Sequence, residues 1–157
     1  MPRRDIIHEA VKNALIRDGW IITADPYLLE YGEEDLFIDL AAERLLAAER
    51  GTDKIAVEIK SFVGRSPIHD LQTALGQYAL YLSVLEVVDP QRKLYLAVSK
   101  TVYDDLETME TFRLVVRRFQ VAMVVIGVHG GLIIRASARN VSMVTSNTFG
   151  RGRSTVA

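Results

Sequence analysis

The chain contains no cysteine, which excludes disulfides and any zinc or iron–sulfur centre built on thiolates. It has no stretch approaching the roughly 18 apolar residues of a membrane span. Its longest apolar run, Val121 to Val128, suits a buried strand. Behind Met1-Pro2-Arg3-Arg4-Asp5 there is no apolar run of signal-peptide length. These absences lead us to expect a cytoplasmic protein with no membrane contact. His8, His69 and His129 lack the spacing of a zinc site and read as structural or exposed. Glycine-rich phosphate loops, nucleophile elbows and Cys/His nucleophile patterns are missing too. The last absence is of negative charge: no acidic residue follows Glu110.

What is present is a chain of 157 residues, 49% hydrophobic and 25% charged, enough for one domain with a sizeable core. Net charge is −1, but it is unevenly distributed. Seven arginines follow Glu110 (Arg113, Arg117, Arg118, Arg135, Arg139, Arg151 and Arg153), and residues 1–110 hold twelve basic against twenty acidic groups, or −8. A basic C-terminal third suits phosphate or an acidic partner surface. It equally suits the acidic remainder of its own fold or of a sister subunit.

Asp5 to Asp18 has Ile7, Val11, Ala14 and Leu15 at helical spacing, with Gly19 as a stop. Trp20 to Thr23 and Leu36 to Leu40 read as strands. Ala41 to Arg50 is helical by propensity, yet Arg50-Gly51-Thr52-Asp53 resembles a hairpin turn, which would make Arg44 to Glu49 a strand leading into Ile55 to Phe62. Ser66-Pro67 introduces a long helix from Ile68 to about Val87, closed by Asp89-Pro90. Lys93 to Ser99 is a strand, Tyr103 to Met109 and Phe112 to Phe119 are helical, and Val121 to Val128 and Leu132 to Arg135 are strands. This order predicts an α/β sandwich with a central mixed β-sheet flanked by helices. Residues 1–135 form the domain, and the tail 136–157, rich in Ser, Thr, Gly and Asn, reads as flexible or ordered by a partner.

The chemistry centres on Ile55-Ala56-Val57-Glu58-Ile59-Lys60-Ser61-Phe62. Alternation puts Glu58 and Lys60 on one side of the strand and Val57 and Ile59 on the other. The pair reads either as an ion pair on a half-buried strand or as a metal carboxylate beside a lysine that positions water or neutralises a phosphate. Asp35, Asp39 and Glu43 are evenly spaced and would share a face on one continuous strand. Asp39 interrupts the apolar Phe37-Ile38-Asp39-Leu40, where an unpaired carboxylate is costly to bury. Gln77 and Tyr81 lie i and i+4 on the long helix and share a face. Glu9 sits in the first helix beside its apolar stripe.

Helix with Glu, strand with Asp, strand with Glu-x-Lys and helix with Gln-x-x-x-Tyr, in that order, resemble the restriction-endonuclease-like PD-(D/E)xK superfamily and its RecB-type branch. A closer resemblance rests on longer stretches. Asp5-Ile6 with His8-Glu9-Ala10-Val11-Lys12-Asn13-Ala14-Leu15, Asp35-Leu36-Phe37-Ile38-Asp39-Leu40-Ala41-Ala42-Glu43 and Ala48-Glu49-Arg50-Gly51 are among them. Val57-Glu58-Ile59-Lys60-Ser61-Phe62 and Ala74-Leu75-Gly76-Gln77-Tyr78 complete the pattern. Up to about Leu132 the chain is similar to the XisH family, the cyanobacterial fdxN-element excision controlling factors. The tail after Arg135 is longer than that family leads one to expect.

The resemblance implies a restriction-endonuclease-like fold and a role in developmentally regulated DNA rearrangement. Its implied partners are DNA, a site-specific recombinase and a XisI-like companion factor, and nucleases of this fold often work as homodimers. It places metal carboxylates for Mg²⁺ (or Mn²⁺) at Asp39 and Glu58, the catalytic lysine at Lys60, a first-helix acid at Glu9, and support residues at Gln77 and Tyr81. A hairpin centred near Gly51–Thr52, however, sets Glu58 opposite Leu45. Asp35 and Glu43 therefore stand beside Asp39 as candidates for the second carboxylate. Phosphodiester hydrolysis and a catalytically silent docking module are both consistent with these motifs.

Overall fold

The computed structural model describes residues 3–45, 51–127 and 129–135. The elements run α1 (Arg3–Arg17), β1 (Ile21–Ala24), β2 (Tyr27–Tyr31), β3 (Glu34–Ile38), β4 (Leu40–Leu45) and β5 (Thr52–Ile59). They continue with α2 (Pro67–Val88), β6 (Arg92–Ser99), α3 (Lys100–Glu107), α4 (Glu110–Arg118), β7 (Met123–Ile126) and β8 (Leu132–Arg135). Six strands form one mixed sheet in the order β1-β4-β5-β6-β7-β8, with β5, β6 and β7 parallel and the other pairings antiparallel. The expected α/β sandwich around a mixed sheet is therefore the observed architecture. The tail 136–157, residues 46–49 of the expected strand, residue 50 of the expected turn, and Val128 lie outside the described residues.

The central strands are apolar on both faces because both faces are covered. On one side α1 lays Val11, Ala14 and Leu15 against Ile55, Val57, Ile59, Ala97 and Val124. Each fully buried valine or leucine there contributes on the order of 2 kcal/mol. On the other side α2 lays Leu71, Ala74, Tyr78, Tyr81 and Leu85 against Ala56, Leu94, Leu96, Val98 and Met123. Leu106 of α3 and Phe112 of α4 join this second core. The crossovers β5–α2–β6 and β6–α3–α4–β7 thus cover the same face while the strands advance in one direction, as a single crossover hand requires.

Local chemistry sets the element ends. Ser66 caps α2 by accepting from the His69 amide at 3.3 Å, Pro67 fits the first helical turn, and the helix stops at Asp89 before Pro90. Ser99 caps α3 in the same way, accepting from the Val102 amide at 3.2 Å.

Two expectations are corrected. Leu36 to Leu40 is not one strand: β3 ends at Ile38 and β4 begins at Leu40, so Asp39 is the joint between two sheets. Instead of joining the main sheet, β3 pairs with β2, a strand absent from the sequence reading, in a two-stranded antiparallel arm. Gly32, at φ 66, makes the tight turn between them. Second, the β4–β5 hairpin pairs Leu45 with Thr52 and Leu40 with Val57. One further step along that register brings Asp39, not Leu45, opposite Glu58.

Candidate active site at the end of the central strands

Glu58 lies on β5, buried to 4% exposure, and its side chain points to the face covered by α2. Carboxylates are rarely found so deep without partners. Of its two oxygens, Oε1 is 3.5 Å from the Lys60 Nζ, and Oε2 has no hydrogen-bond partner among the described residues. Lys60 follows the last residue of β5, but its amide still donates to the Ala97 carbonyl at 2.9 Å. The extended alternation therefore carries past the strand end and keeps the ammonium on the side of Glu58. Its side chain is 16% exposed, so the pair is not an ion pair on the solvent face.

Asp39 reaches the same place by breaking the ladder. Where β4 stops short, its Oδ2 accepts the Ile59 amide at 2.7 Å. This hydrogen bond fixes the carboxylate beside the strand end and satisfies a donor that would otherwise lose its partner. Of the three evenly spaced acids, Asp39 alone comes opposite Glu58. Asp35 sits exposed on the arm opposite Glu30. Glu43 accepts from the Arg92 guanidinium at 3.1 Å, at the other end of the sheet.

The Glu58 carboxyl is pushed up from its ordinary 4.5 to about 7. Burial is the largest cause, followed by the negative charge of Asp39, and the Lys60 ammonium pulls in the opposite direction. Tyr81, on the buried face of α2, has its hydroxyl raised first by burial and then by the charges of Glu58 and Asp39. Gln77, one turn before it, has a buried amide oxygen without a partner among the described residues. The two orphaned oxygens, on Glu58 and Gln77, suit a hard cation or water that would satisfy them.

The structure thus brings together Asp39, Glu58, Lys60 and Tyr81, with Gln77 on the adjoining turn of α2. Glu9 is not joined to them by any hydrogen bond or ion pair among the described residues. It is exposed on α1, which packs on the opposite face of the sheet, and its charge acts on Lys12. Among the described residues, no group of three or more His, Cys, Asp or Glu side chains is placed to hold a metal ion, so Asp39 and Glu58 make a two-carboxylate set. His8 is structural: with Lys12 it clamps Asp25, each at 2.8 Å. His69 and His129 are exposed.

Two features near the site were missed in the sequence. Phe62 adopts φ 51, a left-handed conformation uncommon for a bulky residue, four positions after Glu58. Beyond it the Gly64 amide donates to Asp70 Oδ2 at 2.9 Å, tying the loop to the first turn of α2. Gly-x-Ser-Pro followed by an acid in the first helical turn was the available signal. Two of the clefts formed by the described residues lie away from this site. One of about 520 Å³ is lined by Tyr27, Glu30, Lys54 and Asp89, and one of about 280 Å³ by Ile6, Ala10, Ser99 and Ile126.

Comparison with known proteins supplies a frame for this geometry. A family model described as "XisH protein" matches residues 1–134. The chain is similar to the crystal structure of an XisH family protein from Nostoc punctiforme, with 37% identity and a TM-score of 0.75, covering 85% of this chain and 99% of that one. It is also similar to the crystal structure of a fdxN element excision controlling factor protein from Anabaena variabilis. There the identity is 40% and the TM-score 0.75, over 85% of this chain and 99% of that one. No curated protein matches the sequence.

Proposed function

The chain belongs to the XisH family, and from that premise we propose that it controls excision of a DNA element by hydrolysing phosphodiester bonds at a Mg²⁺-dependent site of the PD-(D/E)xK type. Excision control is what the name of the Anabaena relative says of that protein. The observation that carries the reading is Asp39 opposite Glu58 beside Lys60, with a buried Glu58 oxygen left unpartnered.

The residues fit a hard divalent cation. Asp39 and Glu58 would hold Mg²⁺ or Mn²⁺, and the Gln77 amide oxygen faces the same need for a partner. Such an ion, when bound, supplies charge neutralisation at a phosphate and a lowered pKa for bound water. Lys60 adds a positive charge on the same side of β5, where it offsets the negative charge that develops on a phosphate under attack. The Ile59 amide holds Asp39 in place. Tyr81 supplies a hydroxyl to orient a water or a phosphate oxygen. Because the Glu58 carboxyl titrates near 7, protons compete with the cation, and loading strengthens from pH 6 to pH 8.

The test is a cleavage assay with Mg²⁺ or Mn²⁺ on linear, supercoiled, single-stranded and branched DNA, beside Glu58→Ala and Lys60→Ala. Metal-dependent cutting lost in both variants is expected. Cutting that survives both would place the chemistry elsewhere.

A second reading is favoured by the −8 charge of residues 1–110, which repels DNA. In it the protein is a silent nuclease-fold module that docks a XisI-like companion, a recombinase or DNA. Absence of cutting on every substrate, also with the companion present, together with excision that tolerates Lys60→Ala, would establish it.

A further inference from the structure

Two exposed surfaces of this chain carry opposite charge and find no ionic partner among the described residues. The first is the outer face of the β2–β3 arm. Leu28 pairs across the hairpin with Phe37, and Glu30 with Asp35, so all four side chains point the same way. Leu28 is 39% and Phe37 54% exposed, although Leu29 and Ile38 on the inner face are buried. Glu30 and Asp35 are like charges directly opposite each other, an arrangement that destabilises an isolated hairpin. Glu33 and Glu34 at the tip add to the charge.

The second surface is α4 and the residue after it. Arg117 and Arg118 are exposed beside Leu114 at 66% and Phe119 at 60% exposure, and the Arg118 guanidinium lies 5.6 Å from the centre of the Phe119 ring. Neither arginine, and neither arm acid, enters an ion pair among the described residues.

We propose that the occupant of each surface is the other surface of a second copy of this chain. The arm of one protomer lies on α4 of its partner, and a two-fold axis repeats the contact in reverse. Each contact sets Glu30 and Asp35 against Arg117 and Arg118, and Leu28 and Phe37 against Leu114 and Phe119. Both charge and apolar surface are matched, and the repulsion within the arm is relieved. DNA is the poorer occupant. It would meet the arginines alone, be repelled by the arm, and leave Leu28, Phe37 and Leu114 in water.

The experiment is sedimentation velocity of the full chain over micromolar concentrations, with two double variants whose folding is checked by circular dichroism. Glu30→Lys with Asp35→Lys makes both faces basic, and Arg117→Glu with Arg118→Glu makes both acidic. A wild-type dimer is expected, with each variant weakened about 100-fold or more, since like charges are forced together twice. Mixing the two variants should restore a dimer containing one of each, because both contacts in that dimer are complementary. A monomeric wild type, a dimer indifferent to both variants, or a mixture that stays monomeric would overturn the proposal. So would loss of DNA retention, with the dimer intact, in the Arg117→Glu, Arg118→Glu variant.

Discussion

Replacing Glu58 with glutamine should stabilise the protein at pH 8 and leave it unchanged near pH 4.5. Glutamine matches the protonated acid in shape and cannot ionise. In the wild type the folded carboxyl holds its proton up to about pH 7, whereas the unfolded chain releases it near 4.5. Between those values the folded state binds more protons, so wild-type stability is full below 4.5, falls as pH rises, and levels off above 7. At 1.36 kcal/mol per unit, the loss is about 3 kcal/mol. For a chain of this length that corresponds to about 6–12 °C in melting temperature. Thermal melts of both proteins from pH 4.5 to 8.5, with chelator present, would trace two curves that diverge through this window. Adding Mg²⁺ at pH 8 should raise only the wild-type curve, by about 2.7 kcal/mol at a hundred times the dissociation constant. The reasoning would be refuted by a gap that does not change with pH, or by a wild type more stable than Glu58→Gln at pH 8 without metal.

Three further outcomes are expected. Asp39→Asn keeps an acceptor for the Ile59 amide but removes the charge facing Glu58, so the Glu58 carboxyl, followed by NMR titration, should move down toward the ordinary range; an unmoved midpoint would assign the whole effect to burial. Arg92 is buried, donates to the Ile55 carbonyl at 3.1 Å, Glu43 at 3.1 Å and Asp89 at 3.0 Å, and lies over the Tyr27 ring. Arg92→Ala should therefore cost about 3–5 kcal/mol in urea melts, against less than about 0.5 kcal/mol for Lys100→Ala, which breaks only an exposed pair with Asp104. Equal losses would contradict that contrast in burial. Gln120 is exposed at φ 51, so Gln120→Gly should gain about 0.5–1 kcal/mol by relieving left-handed strain. A loss in the same melts would argue against strain there.

The parts of the fold that were legible in the sequence are those whose signals are local. Ser66-Pro67 and Asp89-Pro90 bracket α2 because capping and proline geometry act within a few residues. Alternation in Val57-Glu58-Ile59-Lys60 placed the site's acid and base on one side of β5 for the same reason. The arm is hidden in the sequence although Tyr27-Leu28-Leu29 is largely apolar and Pro26 and Gly32 flank Tyr27 to Tyr31, because its partner strand reads as the beginning of the main sheet. The hairpin register was misjudged because Gly51, at φ 81, resembles a turn centre. The observed pairing sets Leu45 opposite Thr52, and the alanine-rich sequence before Gly51 has a helical propensity that hides this register. In the sequence Asp39 stands out by its cost of burial and by the resemblance to the PD-(D/E)xK pattern. Its position opposite Glu58 follows from long-range pairing that no local pattern encodes. Arg92 gathers partners from β4, β5 and the end of α2, and it went unnoticed in the sequence for the same reason.

Asp39 is the single residue between Ile38, the last of the arm, and Leu40, the first of the main sheet. The arm is therefore a lever whose fulcrum is one of the two acids. A partner that swung β2 and β3 would act directly on the Asp39 backbone, against the packing of Leu29 and Ile38 in the core beneath α2 and the Ile59 amide that holds the carboxylate. Thermodynamics would make that traffic two-way: if the acid pair binds a cation, a partner that grips the arm and shifts Asp39 changes the cation's affinity by the same factor that the cation changes the grip.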